Sequence, residues 1–389
     1  MLRKAATSII LALLALAFRR AQPPVSDFRP GRIAILRFGG FGDVVAVTSL
    51  IRAIRVAWPD ALIDFITDQA GTSIVTNNPD ITNIVIGRKP ALTAHPGVIL
   101  EAVRAMRQWS HHPYDLAFFT HQDFGNEFYP LFFRARFKVG FDIDDRGFDF
   151  AFTHSACIYS VGHAKESIHI ATHFTDHFQR LLHAFTGADH AIERPVIRIS
   201  DAELTAARAF LTGHGLDRNL VVLAPGGSHP IKIWPIERYA EVARILVADH
   251  DASVIVLLGP SEALHARHFA DISGRFLFDA GHNSFRHNMA ITHLADAMVC
   301  NDTGLMHVAA AFGVPAAAIF GPTPSAVFGY ADQGHTIITA DLPCVPCNDA
   351  VCKLLPDGQK QELAPCMNAV TPQRIVGTVV QYLTKADAS

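Results

Sequence analysis

The sequence predicts an α/β protein built from two doubly wound, Rossmann-like domains facing across a cleft. Three observations predict it. A strand, a glycine turn, a helix and a second strand follow one another from residue 32 to residue 67, which is a βαβ unit. The same alternation starts again near residue 191. Half of the 389 residues are hydrophobic and 18% are charged, a composition suited to large buried parallel sheets, and the length exceeds the roughly 100 to 200 residues of one domain.

Taken in order, "RIAILRF" (32–38) is a β-rich run, "GGFGDVVAVTSLIRAIRVAWP" a glycine turn and amphipathic helix ended by Trp58 and Pro59, and "ALIDFIT" the next strand. Apolar runs at "YDLAFFT" and "FKVGF" extend this sheet. The stretch 110–185 is rich in Phe and His, but its histidines fit no H-E-x-x-H or similar ligand spacing, so they read as polar and helix-face residues, with a few candidates for an acceptor cleft. In the second series "NLVVLAP" is a strand, "GGSHPIKIWP" a loop, "IERYAEVARILVADH" a helix, "SVIVLLG" a strand and "SEALHARHFADI" a helix. "MVCN", "GLMHVAAAFG" and "PAAAIFG" then give strand, helix and strand. The expected segments are 1–28 as an apolar N-terminal anchor and linker, 29–190 and 191–370 as the two Rossmann-like domains, and 371–389 as a C-terminal helix, "TPQRIVGTVVQYL".

A net charge of -3 excludes the basic footprint of a general nucleic-acid binder, so any anionic partner is met locally. At the N-terminus a basic start leads to an apolar run from Ser8 to Phe18 and then Arg19 and Arg20. The run is shorter than the ~20 residues that span a bilayer. An interfacial anchor, with one apolar segment and flanking cations, is the leading expectation; a cleaved signal and a plain covering helix are the alternatives.

Ligands of open α/β sheets bind beyond the carboxyl ends of the strands, where helix N-termini offer unpaired N–H groups and a partial positive charge. Three loops take that position. In "RFGGFGD" the glycines Gly39, Gly40 and Gly42 permit close backbone approach and leave Asp43 at the helix start. Neither the Lys-Ser/Thr of a Walker loop nor the G-x-G-x-x-G spacing is present, which argues against ATPase and NAD chemistry. "APGGSHPIKIWP" supplies Gly227, the hydroxyl of Ser228 and the cation of Lys232, suited to hold phosphate as a point charge. "NDTGLMH" places Asp302, Thr303 and Gly304 after a strand, with His307 one helical turn on. Helix capping alone would also account for Asp43, Asp302 or Thr303.

Together "ILRFGGFGDVV", "PGGSHPIKIWPIERYAEVA" and "NDTGLMHVAAAFGVPAAAIFGPT" resemble glycosyltransferase family 9, the heptosyltransferases of lipopolysaccharide core assembly, from about Arg32 to the C-terminal helix. The resemblance implies a GT-B fold and an inverting, metal-independent transfer of heptose from ADP-heptose to a hydroxyl of a lipid-linked saccharide. Asp43 matches the family's general base, Lys232 its phosphate-binding lysine, Ser228 a position beside the phosphates, and Asp302, Thr303, Gly304 and His307 its donor-binding element. Glu262 lies where the family tends to place a carboxylate near the ribose. Leu305 departs from the usual proline, and "LLGPSEA" from the usual diglycine form. The implied partners are a nucleotide sugar, a lipid-linked acceptor and the inner membrane surface seen from the cytoplasm. The alternatives are another nucleotide sugar or a protein acceptor, a binding protein without turnover, and an epimerase.

Four of the six cysteines, Cys344, Cys347, Cys352 and Cys366, crowd into the segment before the last helix. One C-x2-C pair among four thiols can build a structural zinc or iron site. Free thiols and disulfides are the other readings, and disulfides suit a reducing cytoplasm least. Cys157 and Cys300 read as small buried hydrophobes.

Overall fold

The computed structural model describes residues 25, 27–87, 96–121, 129–143, 151–158, 172–227, 229–281, 283–331, 334–349, 351–356 and 364–386. The expected anchor run from Ser8 to Phe18 lies outside them. Among the described residues no helix is long and apolar enough to cross a membrane. The chain divides into two compact units, Met1–Val196 and Ile197–Ser389.

The first unit holds strands β1 (Arg32–Leu36), β2 (Leu62–Thr67), β3 (Asn83–Ile86), β4 (Tyr114–Phe119), β5 (Ala135–Ile143) and β6 (His154–Ile158), in the order β3-β2-β1-β4-β5-β6 and parallel throughout. Helix Phe41–Ala57 is apolar nearly all round, with Val44 to Leu50 buried without a break, as a helix enclosed between a sheet and other helices must be. Helix Phe174–Thr186 instead buries one stripe, Phe174, Phe178, Leu181, Leu182 and Phe185, against β5, β6 and helix Phe41–Ala57, and ends on Gly187 in the left-handed conformation. Cys157 corrects the sequence expectation. It is exposed, because β6 is an edge strand and Cys157 faces outward between the buried Ala156 and Ile158.

His177 shares the buried stripe of that helix, and burial, helped by Arg180, pushes its pKa down to about 4. An unfolded chain would protonate this ring near pH 6.5 while the folded one does not, so its contribution to stability is complete above about pH 6.5 and lost as pH falls toward about 4. His177→Gln should therefore show a smaller loss of melting temperature than wild type between pH 7 and pH 4.5; parallel curves would refute the buried neutral ring.

The second unit holds β7 (Leu220–Ala224), β8 (Ser253–Leu258), β9 (Phe276–Ala280), β10 (Ala297–Asn301), β11 (Ala316–Ile319) and β12 (Thr336–Ile338), ordered β12-β11-β10-β7-β8-β9, again all parallel. Numbered from its own first strand, each sheet has the order 3-2-1-4-5-6, so the chain folds the same doubly wound sheet twice. The core beneath helix Ile236–Asp249 gathers Trp234, Tyr239, Val242 and Leu246 with Ile375, Val379 and Leu383 of the last helix, Pro372–Ala386. That last helix packs on helix Ile236–Asp249, β10 and β11.

Segment 261–272, expected as a helix, forms a 3-10 helix over Pro260–Phe269. The apolar stripe that would hold an α-helix to the sheet is missing: Leu264 is 81% exposed, while Phe269 is buried.

Candidate active site

In a 3-2-1-4-5-6 sheet the crevice opens where the strand order reverses, between the first and fourth strands. In the second unit these are β7 and β10, and the loops leaving their carboxyl ends carry Lys232 and Asp302. A 3-10 turn, Pro230–Lys232, turns the lysine so that Nζ donates to Asp302 Oδ2 at 3.0 Å, the two side chains being 30% and 12% exposed. Thr303 caps helix Gly304–Phe312, its hydroxyl accepting from Leu305 N at 3.1 Å. The positive amide end of that helix thus lies one residue beyond the Asp302 carboxylate. His307, on the same helix, is buried, and its Nδ1 lies 2.7 Å from the Tyr330 hydroxyl. Glu262 accepts from Gly259 N through Oε2 at 3.0 Å, and its carboxylate lies beside Gly226, where a Cβ would stand 3.5 and 3.6 Å from the two oxygens. At Gly227 a Cβ would meet Ile233 at 3.0 Å. Ser228 lies outside the described residues.

Asn301 joins these parts. Fully buried at the end of β10, it donates through Nδ2 to the carbonyls of Pro225 (2.7 Å) and Gly226 (3.1 Å). Its Oδ1 accepts from Trp234 N (3.1 Å) and from the Tyr239 hydroxyl (3.0 Å). One side chain therefore fixes the glycine loop, the lysine loop and the strand that delivers Asp302. Burial pushes the Tyr239 hydroxyl well above its ordinary pKa, so it stays protonated and serves as the donor. The neighbouring Cys300 is buried, as expected from the sequence, and its thiol is pushed up by the same cause.

The first unit has its reversal between β1 and β4. Gly39 and Gly40 both take positive φ, 66° and 60°, which ordinary side chains rarely adopt, and Gly42 is the second residue of helix Phe41–Ala57. A Cβ on Gly40 would lie 2.3 Å from Asp43 Oδ2, so a side chain there would displace that carboxylate. Asp43 is half-exposed and pairs at 2.7 Å with Arg37, whose guanidinium also donates to the Thr120 carbonyl at 2.6 Å, across from β1 to the end of β4. Asp68 secures the turn, accepting from Gly39 N at 2.8 Å while capping the next helix through Gly71 N.

The four clustered cysteines are free thiols, Cys366 buried and the others half-buried. Burial pushes Cys366 up to about 11, and Cys347, Cys344 and Cys352 add to that shift, so the four lie within electrostatic reach of one another. Among the described residues no three His, Cys, Asp or Glu side chains are gathered as a metal site requires. The segment is tied to the end of β11 by Asn348 N donating to Pro322 O at 2.7 Å.

Residues 103–356 match the sequence profile of glycosyltransferase family 9 (heptosyltransferase). The chain belongs to this family. This glycosyltransferase is 24% identical over 380 residues to lipooligosaccharide heptosyltransferase 2 of Haemophilus ducreyi, covering 90% of this chain and 99% of that protein. It is 23% identical over 306 residues to the lipopolysaccharide core heptosyltransferase OpsX of Haemophilus influenzae, covering 76% and 81%. A shorter stretch of 88 residues is 35% identical to lipopolysaccharide heptosyltransferase 1 of Pseudomonas aeruginosa, covering 21% of this chain and 25% of that protein. Among solved structures, a family 9 glycosyl transferase from Veillonella parvula superposes with TM-score 0.75 at 18% identity, over 94% of this chain and 100% of that one. The E. coli ADP-heptose lps heptosyltransferase II gives 0.70 at 19%, over 92% and 99%. The iron-containing dodecameric glycosyltransferase TibC of enterotoxigenic E. coli gives 0.51 at 12%, over 93% and 78%. The fold is therefore GT-B, with two Rossmann-like domains, and the enzyme is of the lipopolysaccharide core heptosyltransferase type.

Sequence reasoning placed Lys232, Asp302, Thr303, Gly304, His307 and Glu262 on loops and helix starts of the second sheet, and Asp43 with its glycines on the first. It left Arg37, Asp68, Asn301 and Tyr330 without roles. Arg37 and Asn301 stand inside the quoted motifs, but Thr120, which anchors Arg37, and the partners of Asn301 lie 83 and 62 to 76 residues away, and no local spacing points to them.

Proposed function

We propose that this enzyme transfers a heptose from ADP-heptose, with inversion, to a hydroxyl of a lipid-linked saccharide. The second unit binds the donor and the first the acceptor. The observation that carries the reading is the Lys232 ammonium held beside the amide end of helix Gly304–Phe312, at the reversal of the second sheet. In the transfer the bond from the anomeric carbon to the diphosphate oxygen breaks, and its electron pair leaves with ADP. The acceptor oxygen forms the new bond, and its proton passes to the Asp43 carboxylate. Lys232, the helix amides and His307 meet the charge growing on the diphosphate, which is where preorganised dipoles act most strongly. Thr303 holds the helix end open to the phosphates, and Glu262 faces the ribose. The named E. coli relative uses ADP-heptose, which supports the same donor here. The apolar run and flanking arginines of segment 1–28 would hold the enzyme at the cytoplasmic side of the inner membrane, close to a lipid-linked acceptor.

A panel of nucleotide sugars followed by thermal shift tests the donor, since a ligand bound only by the native state raises the melting temperature. ADP-heptose and ADP should raise it, and Lys232→Ala should weaken that binding about 10- to 100-fold, the size of one hydrogen bond to a charged group. A shift given by uridine or guanosine sugars and not by ADP would replace the donor.

The same proposal includes a structural zinc or iron on Cys344, Cys347, Cys352 and Cys366, which are the residues that would have to close in to hold it. TibC, an iron-containing relative in fold, supports the reading. No step of the transfer runs through that metal. Elemental analysis of protein purified without added metal should find about one metal per chain; a blank leaves four free thiols.

A further inference from the structure

We propose that Tyr330 is a positioning residue for the donor site, setting the tautomer and direction of the His307 ring so that Nε2–H, and not Nδ1, is the donor offered to the leaving diphosphate. The assignment of the ligand rests on the function proposed above; the tautomer does not.

The geometry is closed on one side. Tyr330 is fully buried, and its hydroxyl lies 2.7 Å from His307 Nδ1. A histidine's two nitrogens are not equivalent: the partner of one decides the protonation of the other. Tyr330 is held well above the ordinary tyrosine pKa by burial, with the negative Asp302 adding to the effect, so its hydroxyl keeps its proton and can donate it. Nδ1 then accepts, and the proton of a neutral ring resides on Nε2.

Tyr330 is itself tightly placed. It follows helix Ser325–Phe328 through Gly329, where a Cβ would lie 2.7 Å from the Ser325 carbonyl, so the turn admits only glycine. The His335 ring packs against it at 5.4 Å and 62°, and His335 N donates to the Tyr330 carbonyl at 3.3 Å. A fixed hydroxyl facing a fixed ring nitrogen is a device for tautomer choice, and a diphosphate, which only accepts, can be met only by a ring nitrogen that carries its proton.

The test reads the ring directly. In wild type at pH 8, long-range 15N–1H NMR should show His307 with Nδ1 unprotonated and Nε2 protonated. Tyr330→Phe should mix the two tautomers and raise the KM for nucleotide sugar about 3- to 10-fold, a lost hydrogen bond's worth. In a double-mutant cycle Tyr330→Phe should cost little more in a His307→Ala background, because the two act as one unit. A wild-type ring protonated on Nδ1, an unchanged tautomer in Tyr330→Phe, or fully additive losses would each overturn the proposal, and the first needs no variant to fold. If the tautomer responds as expected but wild type binds no ADP, the donor reading falls and the ligand assigned to Nε2 falls with it.

Discussion

Asp43→Asn should lower kcat about 10²- to 10⁴-fold, the range contributed by a positioned general base, while ADP affinity stays at the wild-type value. The asymmetry follows from the fold. Asp43 lies in the first turn of the first helix of the first sheet, whereas Lys232, Thr303 and His307, the donor contacts proposed above, belong to the second, so on that reading the substitution leaves them in place. Asparagine keeps the volume in the space that Gly40 leaves open, and it can still accept from Arg37, which separates basicity from packing. ADP release measured with acceptor, beside ADP binding by thermal shift, checks both halves. Undiminished release removes Asp43 from the role of base, and a parallel loss of ADP affinity would mean that the residue acts on the donor.

The parts of the fold that could be read from sequence are those whose physics is local. β1, β2, β7, β8, β10 and β11 lie inside their sheets and are buried almost throughout, so they appear as predominantly apolar runs. β3, β6, β9 and β12 went unread because they are edge strands. Each has one neighbour, and their exposure is mixed, which blurs the apolar signal. The glycine loops and helix starts of the site were legible for the same reason that the inner strands were: they follow a strand immediately. What was not legible is which residues hold those loops. Arg37 reaching Thr120 and Asn301 reaching Pro225 depend on β4 lying beside β1 and β10 beside β7, and strand order is a property of the folded sheet. Tyr330 reached His307 by way of β11 and a tight turn.

Asn301→Ala should be the most destabilising single change at the site, about 3–5 kcal/mol, because it strands three buried groups at once, the carbonyl of Pro225, the amide of Trp234 and the hydroxyl of Tyr239, and with them the half-buried carbonyl of Gly226. Asn301→Asp discriminates hydrogen bonding from shape. Its carboxylate can still accept from Trp234 and Tyr239, yet from a fully buried position it presents a negative charge to two carbonyl oxygens. Burial and those oxygens raise its pKa in the folded state above the unfolded value, so protonation favours folding and the stability lost relative to wild type should shrink as pH falls from 8 to 5. Urea titrations of wild type and both variants at the two pH values measure this, with each variant compared to wild type at the same pH so that histidine protonation cancels. Equal losses for Asn301→Asp at both pH values would show that the carbonyls of the glycine loop do not depend on this amide. Where a variant remains folded, the KM for nucleotide sugar should rise with the loss of stability, because the loop that carries Lys232 is held in register by the same oxygen that Trp234 and Tyr239 share.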